Sequence, residues 1–255
     1  MSSGPALPSS TSRASSRLSI VSFIAAVRPF CLKEAYGVRR RLRNLAGVAG
    51  IAVAISASAV AAAEPARIVA FGDSLTAGYG LPPGDGLVPQ LQRWLGDHGT
   101  EAVVLNAGVS GDTTAGALAR IDWTLSAPAD AMIVTLGGND LLRGLPPEEA
   151  RANLDAILAR ADAKHLPVLL VPMLAPGNFG PDYKAAFDKI YSDLAEKHGA
   201  LLAAPFFAPI LALPDRQKAL ADYMQPDGLH PTASGVALVV EALGPRVQEL
   251  LHRAE

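Results

Sequence analysis

The stretch that decides the fold is "RIVAFGDSLTAGYG", residues Arg67–Gly80, where a short apolar run stops at a glycine, an aspartate and a serine. The run Arg67–Phe71 has the length and apolar character of a buried parallel strand. Gly72 would permit a tight turn that delivers Asp73 and Ser74 at the carboxyl end of this strand. If Ser74 is a nucleophile, its acid is either the adjacent Asp73 or a carboxylate elsewhere in the chain.

The same pattern continues along the chain. From Glu64 onward, short apolar runs alternate with longer segments of helical periodicity, which predicts an α/β fold with a largely parallel sheet in a single domain, residues 64–255. The further predicted strands are Ala102–Asn106, Ala131–Leu136, Val168–Met173 and Leu201–Ala204. Helices with one apolar face are predicted over Pro147–Lys164, Pro181–His198 and Ala233–Leu251.

Residues 1–63 differ in character and are predicted to be a disordered extension followed by a signal peptide. A Ser-rich start gives way to a cluster of arginines, an uncharged stretch over Leu45–Ala63, and Ala61-x-Ala63 before Glu64. Cleavage after Ala63 would yield a periplasmic or secreted protein with no stable membrane insertion. An uncleaved membrane anchor is the alternative, because the apolar stretch is almost long enough to span a bilayer.

The long polar segment before the arginines also suggests that translation starts near Val38. The only cysteine, Cys31, lies in the part expected to be lost, so the mature chain would have no disulfide and no thiol nucleophile. The whole chain carries a net charge of −2, from 22 basic and 24 acidic side chains, which argues against nucleic acid as a partner. No pair of His or acidic residues has zinc-ligand spacing on a helix, so no metal is expected.

Four polar clusters follow predicted strands or precede the last helix. In open α/β sheets, ligands bind outside the carboxyl ends of the strands, so these clusters are expected to meet at one edge of the sheet. They are "GDS" at 72–74, "NAGVSGDTT" at 106–114, "GGND" at 137–140 and "DGLHP" at 227–231.

A serine hydroxyl becomes a good nucleophile when a histidine takes its proton and a carboxylate orients that histidine. Four of the five histidines are predicted to be solvated or to cap helix ends: His98, His165, His198 and His252. His230 differs, because Asp227 lies three residues before it in a turn constrained by Gly and Pro. An ordinary capping turn is the alternative interpretation of this segment.

Acyl transfer also requires donors directed at the oxygen that becomes negative. The candidates are the backbone N–H groups of Ser74 and Gly111 and the side-chain amide of Asn139, although taken singly Gly111 fits a plain turn and Asn139 a plain loop. The residue two after Ser74 is Thr76, so this is not the G-x-S-x-G elbow of α/β-hydrolases. No Lys-Ser/Thr follows the glycines, which excludes a P-loop.

The blocks "FGDSLTAGYG", "NAGVSGDTTAGALARI", "LGGND" and "DGLHP" resemble, in order and spacing, those of the GDSL/SGNH hydrolases. The resemblance is strongest to the bacterial periplasmic branch of thioesterase I/lysophospholipase L1 and the arylesterases. It implies a flavodoxin-like, three-layer α/β/α fold with a five-stranded, mostly parallel sheet. It also implies Ser74 as nucleophile, His230 as general base and then acid, Asp227 as its orienting acid, and Ser74, Gly111 and Asn139 as the oxyanion hole.

The implied activity is hydrolysis of small acyl or aryl esters by a monomer, without cofactor or metal, through an acyl-enzyme. Thioester and lysophospholipid hydrolysis are plausible side activities. The pocket walls are expected in two segments, with Leu141, Leu142 and Leu145 in the first and Phe179 in the second. Alternatives are an O-acyl transferase or carbohydrate deacetylase using the same site, and a non-catalytic ligand-binding module.

On this interpretation Asp73 is not the catalytic acid. A carboxylate directly beside Ser74 cannot orient a distant imidazole from the correct side, whereas Asp227 adjoins His230 in the sequence. We therefore expect Asp73 to brace its loop by accepting hydrogen bonds from backbone N–H groups.

Overall fold

The computed structural model describes residues 64–254, so the predicted extension and signal peptide, residues 1–63, lie outside the described residues. The strands are β1 Ala66–Gly72, β2 Ala102–Gly108, β3 Ala131–Thr135, β4 Val168–Leu170 and β5 Leu201–Leu202. The helices are α1 Ser74–Ala77, α2 Leu87–Asp97, α3 Thr114–Thr124, α4 Gly138–Leu142, α5 Pro147–Asp162, α6 Pro181–His198, α7 Ala208–Leu211, α8 Arg216–Tyr223 and α9 Ala233–His252. A short 3₁₀ helix spans Gly177–Phe179.

The described strands form one five-stranded sheet in the order β2-β1-β3-β4-β5, and every neighbouring pair is parallel. Each predicted strand is present, but β4 and β5 are shorter than predicted. After β4, Val171 still donates its N–H to Val134, but Pro172 has no N–H with which to continue the pairing. Because β5 is an edge strand with one partner, it ends as soon as its pairing with β4 ends.

The helices divide into two groups that cover the two faces of the sheet. The chain moves from β1 to β2 in one direction and then from β2 through β3 and β4 to β5 in the other. Right-handed crossovers therefore place α2 on one face and α3, α5 and α6 on the other. The packing of α2 against α9, and of α5 against both α3 and α6, completes the two outer layers.

The core lies between these layers, and β3 at the centre of the sheet is buried along its whole length. The predicted α/β/α architecture with a parallel five-stranded sheet is confirmed. Among residues 64–254, no helix combines the length and apolar character needed to cross a bilayer.

One histidine departs from the prediction of a solvated or capping role. The His198 side chain is only 8% exposed and lies between two carboxylates of α5, with Nδ1 2.5 Å from Asp162 and Nε2 2.7 Å from Asp155. His198 lies far from these two carboxylates in the sequence, so no local pattern predicts the pairing. Only the packing of α6 on α5 brings the three side chains together. His198 is therefore the last residue of α6, and its side chain also joins α6 to α5.

Candidate active site

Ser74 is the first residue of α1 and is separated from the end of β1 only by Asp73. As the first residue of a helix, its N–H has no partner within that helix. Gly72 is required here for space, because a Cβ at this position would collide with the side chain of Thr76 and the carbonyl of Thr135. The sequence suggested a tight turn at Gly72, whereas the structure shows a close approach of the helix and a neighbouring strand.

Three side chains from two distant parts of the chain form a continuous hydrogen-bonded series at this point. His230 Nε2 lies 2.8 Å from Ser74 Oγ, and His230 Nδ1 lies 2.7 Å from Asp227 Oδ2. The other carboxylate oxygen, Asp227 Oδ1, accepts the backbone N–H groups of Leu229 and His230 at 2.9 and 3.0 Å. The turn predicted to orient the imidazole therefore does so with both oxygens of its aspartate.

These hydrogen bonds keep Asp227 ionised. The bond from His230, followed by the two backbone N–H groups, lowers the pKa of the Asp227 carboxyl to about 2. An ionised Asp227 accepts from Nδ1–H and thereby leaves Nε2 free to accept the Ser74 proton. The ring of Tyr79 lies 4.7 Å from the His230 ring, centroid to centroid, and covers one side of it.

Gln225 joins the His230 turn to the segment after Ser74. Its backbone N–H donates to the His230 carbonyl at 2.7 Å. Its side-chain amide donates to the carbonyls of Tyr79 and Pro231 at 2.9 and 3.0 Å. The loops that carry the base and the nucleophile are therefore bonded directly to each other, a contact that no spacing in the sequence reveals.

Asp73 is almost fully buried and bonds in two directions. Its Oδ1 accepts the Leu75 N–H at 3.0 Å, as expected of a loop brace, and its Oδ2 accepts the side-chain amide of Asn139 at 3.3 Å. Burial raises the pKa of the Asp73 carboxyl to about 6, against the opposing effect of these two bonds. Asp73 makes no hydrogen bond to His230 among the contacts of the described residues.

Asn139 and Asp140 lie in the first turn of the short helix α4, just beyond β3. The carboxylate of Asp140 is buried and accepts both the backbone N–H and the hydroxyl of Thr114, at 2.9 and 2.6 Å. This connects α4 to the start of α3, directly after the loop that carries Gly111. Sequence reasoning missed Asp140, although its place beside Asn139 at a strand end was a usable signal.

Gly111 lies in the loop between β2 and α3 with a φ of +86°, a conformation that strains any residue with a Cβ. Its carbonyl accepts a hydrogen bond from Arg143 Nη2 at 2.9 Å. Arg143 directly follows α4, so the Gly111 loop adjoins the segment that carries Asn139. Gly111 is not part of the cavity wall described next, whereas Ser74 and Asn139 are.

An apolar cavity of about 280 Å³ opens beside Ser74. It is lined by Asp73, Ser74, Leu75, Gly138, Asn139, Leu141, Leu142, Met173, Leu174, Pro176, Asn178, Phe179, Phe207, Leu229 and His230. Three of the four predicted pocket residues, Leu141, Leu142 and Phe179, are in this wall. Within residues 64–254, no group of three or more His, Cys, Asp or Glu side chains could hold a metal ion.

The prediction for the fourth residue, Leu145, was wrong, because Leu145 does not line the cavity. Its N–H donates to the Asp140 carbonyl at 3.0 Å, and its own carbonyl accepts the hydroxyl of Tyr183 at 2.8 Å. Leu145 is therefore held by contacts with α4 and α6 and lies outside the cavity wall.

Comparison with known proteins gives consistent matches. The profile of the GDSL-like Lipase/Acylhydrolase family matches residues 70–238. Esterase TesA of Pseudomonas aeruginosa is 37% identical over 192 residues, which cover 75% of this chain and 91% of that protein. Thioesterase 1/protease 1/lysophospholipase L1 of Escherichia coli is 32% identical over 193 residues, covering 75% and 88%.

A solved structure agrees with these sequence matches. The crystal structure of AlinE4, described as an SGNH-hydrolase family esterase, shares 47% sequence identity and superimposes with a TM-score of 0.59. The match covers 74% of this chain and 97% of that one. With the profile spanning more than half of the sequence and the fold in agreement, the chain belongs to the GDSL-like lipase/acylhydrolase family.

Proposed function

We propose that this ester hydrolase cleaves small acyl and aryl esters through an acyl-enzyme formed on Ser74. The observation that carries the proposal is the series from Asp227 through His230 to Ser74, with contacts of 2.7 and 2.8 Å, at the mouth of an apolar cavity. Nucleophile, base and orienting acid at these distances are the parts that activate a serine hydroxyl.

The first step forms a covalent bond between Ser74 Oγ and the carbonyl carbon of the ester. As that bond forms, the Oγ proton passes to His230 Nε2 and the carbonyl electron pair moves onto its oxygen. His230 then gives the proton to the leaving alcohol oxygen, the bond to that oxygen breaks, and the acyl group stays on Ser74. A water molecule, deprotonated by His230 in the same way, releases the acid and restores Ser74.

The negative oxygen of the tetrahedral intermediate requires donors that are already in place. We assign this role to the N–H groups of Ser74 and Gly111 and to the amide of Asn139. Support comes from the unpartnered helix-start position of Ser74, and from Asp73, whose carboxylate accepts one Asn139 amide hydrogen and so fixes the direction of the other. Each such donor is worth about 3 to 4 kcal/mol of barrier.

The cavity indicates the class of acyl group. More than half of its lining residues are Leu, Met or Phe, and the polar ones include Ser74, Asn139 and His230. A volume of about 280 Å³ is at the lower end of ligand pockets in general and suits a short or medium acyl chain or one aryl ring. The names of its relatives make thioesters and lysophospholipids reasonable additional substrates to test.

We also propose that the protein acts after export to the periplasm or beyond the cell. The basis is the arginine cluster, apolar stretch and Ala61-x-Ala63 sequence before Glu64. Amino-terminal sequencing of protein recovered from the periplasm should begin at Glu64. Recovery of an uncleaved chain in the membrane fraction would contradict this part of the proposal.

The activity is tested by turnover of nitrophenyl esters with acyl chains of increasing length, in parallel with thioester and lysophospholipid substrates. Wild-type protein should show turnover and a burst of nitrophenol when deacylation is slow, and Ser74→Ala should abolish both. An organophosphonate should label Ser74 alone. Absence of turnover across the panel, or an active Ser74→Ala variant, would overturn the proposal. Preferential transfer to added alcohols or sugars over water would show an acyl transferase instead.

A further inference from the structure

Arg120, on α3, is a partly buried cation that contacts the carboxyl ends of two neighbouring strands and the loop after one of them. Its Nε forms an ion pair with Asp112 Oδ2 at 2.7 Å, with the two side chains only 19% and 17% exposed. Its two terminal nitrogens donate to backbone carbonyls, Nη1 to Ala107 at 3.0 Å and Nη2 to Gly72 at 2.9 Å. Its guanidinium also lies 4.3 Å from the centre of the Phe71 ring.

These contacts converge on the backbone that carries two of the three oxyanion donors. Gly72 is the last residue of β1, two positions before Ser74, and Ala107 lies near the end of β2. Asp112 directly follows Gly111. Each of the three guanidinium nitrogens of Arg120 is therefore hydrogen-bonded, either to the segment that leads to Ser74 or to the segment that leads to and includes the Gly111 loop.

The ends of β1 and β2 are themselves held by their pairing, which runs to Gly72 opposite Gly108, so Arg120 chiefly adds restraint on the loop that follows β2. The Val109 N–H donates to the Gly72 carbonyl at 3.0 Å, so that carbonyl accepts from both the loop and Arg120. Arg143 also bonds the Gly111 carbonyl, but its side chain is on the surface. Arg120 is the partly buried connection that reaches both strand ends at once.

We propose that Arg120 is a positioning residue for the oxyanion hole, which sets the Gly111 N–H and the Ser74 N–H at the spacing that the tetrahedral intermediate requires. The inference rests on the proposed function of the site. Donors in an oxyanion hole act on charge that appears only in the transition state, so a small misalignment lowers kcat without weakening substrate binding. Arg120 itself does not touch the substrate.

Only arginine can make this set of contacts. Its planar guanidinium presents five N–H donors in a fixed fork and also stacks on an aromatic face, whereas lysine presents one compact ammonium on a flexible stem. Lysine at position 120 keeps the positive charge and can pair with Asp112, but it cannot bond both carbonyls and stack on Phe71. Arg120→Lys therefore separates the geometry of the contact from its charge.

The experiment measures kcat and KM for Arg120→Lys and Arg120→Met on the preferred nitrophenyl ester, counted per active site titrated with an organophosphonate. We expect kcat to fall about 10- to 100-fold, less than the ~10²–10³-fold that follows complete loss of one donor, and KM to change less than about threefold. The Asp112→Asn substitution leaves both carbonyl bonds of Arg120 in place, so its kcat should fall less than that of either Arg120 variant. Arg151→Lys, which alters an exposed ion pair with Asp193, is the matched control and should retain wild-type kcat.

A second readout separates positioning from a merely structural role. A trifluoromethyl ketone adds to the serine as a tetrahedral oxyanion, so its inhibition constant should rise in proportion to the loss of kcat/KM across the Arg120 and Asp112 variants. Unchanged kcat per titrated site, with only a smaller folded fraction or a lower melting temperature, would overturn the proposal. So would a ketone inhibition constant that stays at the wild-type value.

Failure of this inference is distinct from failure of the proposed function. If wild-type protein shows no turnover or Ser74→Ala remains active, the proposed function fails before Arg120 is tested. If wild-type protein is active, Ser74→Ala is not, and Arg120→Lys matches wild type, the function stands and the role of Arg120 is refuted.

Discussion

Asn139 donates a hydrogen bond from its side-chain amide to the carboxylate of Asp73, with Nδ2 and Oδ2 3.3 Å apart. The aspartate next to the nucleophile therefore contacts a proposed oxyanion donor, while the aspartate next to His230 contacts the imidazole at 2.7 Å. Asp73 therefore orients the Asn139 amide and Asp227 orients the His230 imidazole, so substitutions of the two aspartates should have different consequences.

Asp73→Asn should be far milder than Asp227→Asn. An asparagine at 73 can still accept the Leu75 N–H but turns an amide toward that of Asn139, so we expect kcat to fall about tenfold. Asp227→Asn favours the wrong tautomer of His230, a change that costs about 10⁴-fold in a serine protease triad. Steady-state kinetics of the two variants under identical conditions measures the difference. Equal losses would require the acid to be reassigned.

The buried Asp73 should make the protein less stable as the pH rises from about 4 to about 6. Its pKa is raised to about 6 in the folded protein, above the ordinary value of about 3.9, so between these values the folded state holds more protons than the unfolded state. The free energy of unfolding then falls with increasing pH over that interval. Urea unfolding from pH 4 to 7 should show this slope in wild type and a smaller one in Asp73→Asn. The same slope in both would contradict the shift.

His198 should stabilise the fold in weak acid and contribute less in base. Burial lowers its pKa, but hydrogen bonds to Asp155 and Asp162 outweigh burial and leave the pKa raised, while that of Asp155 is lowered, chiefly by its bond to Lys197 and then by His198. A raised histidine pKa gives stability that is complete below about pH 6.5 and is lost as the pH rises through the folded value. The lowered Asp155 pKa gives stability that is lost in stronger acid.

Chemical unfolding of His198→Gln at pH 5.5 and pH 8.5 tests this. The variant should lose more stability relative to wild type at pH 5.5, and Asp162→Asn, which removes one of the two carboxylates, should show a smaller difference in the same direction. A loss that is equal at both pH values would mean that packing, and not charge, accounts for His198.

Phe179 should contribute to the choice of acyl chain. It lines the cavity while remaining 42% exposed, and its ring lies 5.0 Å from that of Tyr183. Phe179→Ala should raise KM for medium-chain esters about fivefold, equivalent to about 1 kcal/mol of lost apolar contact, and leave acetyl esters nearly unchanged. Leu220→Ala, an exposed apolar residue of α8 outside the cavity wall, is the control. A uniform change for all chain lengths would argue against contact with the acyl chain.

Much of the fold was accessible from local patterns. The apolar runs that follow Glu64 are short and bounded by Gly, Pro, Asn or Asp, and each became a strand of the parallel sheet. The helix Pro181–His198 was predicted with both of its ends, because a proline starts it and Gly199, with a φ of +62°, ends it. The lengths of β4 and β5 were not accessible, because they depend on how far the neighbouring strand offers partners.

In the pocket too, local patterns predicted some features, and others depended on tertiary contacts. Leu141, Leu142 and Leu145 are nearly equivalent in sequence, since all follow "GGND" within a few residues. Only the tertiary structure shows that Leu145 lies outside the cavity wall, where its backbone bonds to Asp140 and Tyr183. The pairing of His198 with α5 and the contacts of Arg120 likewise join residues that no local period connects.

The sequence by itself determined the order of strands and helices along the chain, the placement of three polar clusters at strand ends and of a fourth before the last helix, and the pairing of Asp227 with His230 three residues later. Each of these follows from local geometry: a buried strand needs an unbroken apolar run, and a turn of three residues brings its ends together. The tertiary structure alone decided the 2.8 Å contact of His230 with Ser74, the bond between Asp73 and Asn139, and the three-way contact of Arg120. These depend on how the sheet and its two helical layers pack, since hydrogen bonds form only when packing brings donor and acceptor to within about 3 Å.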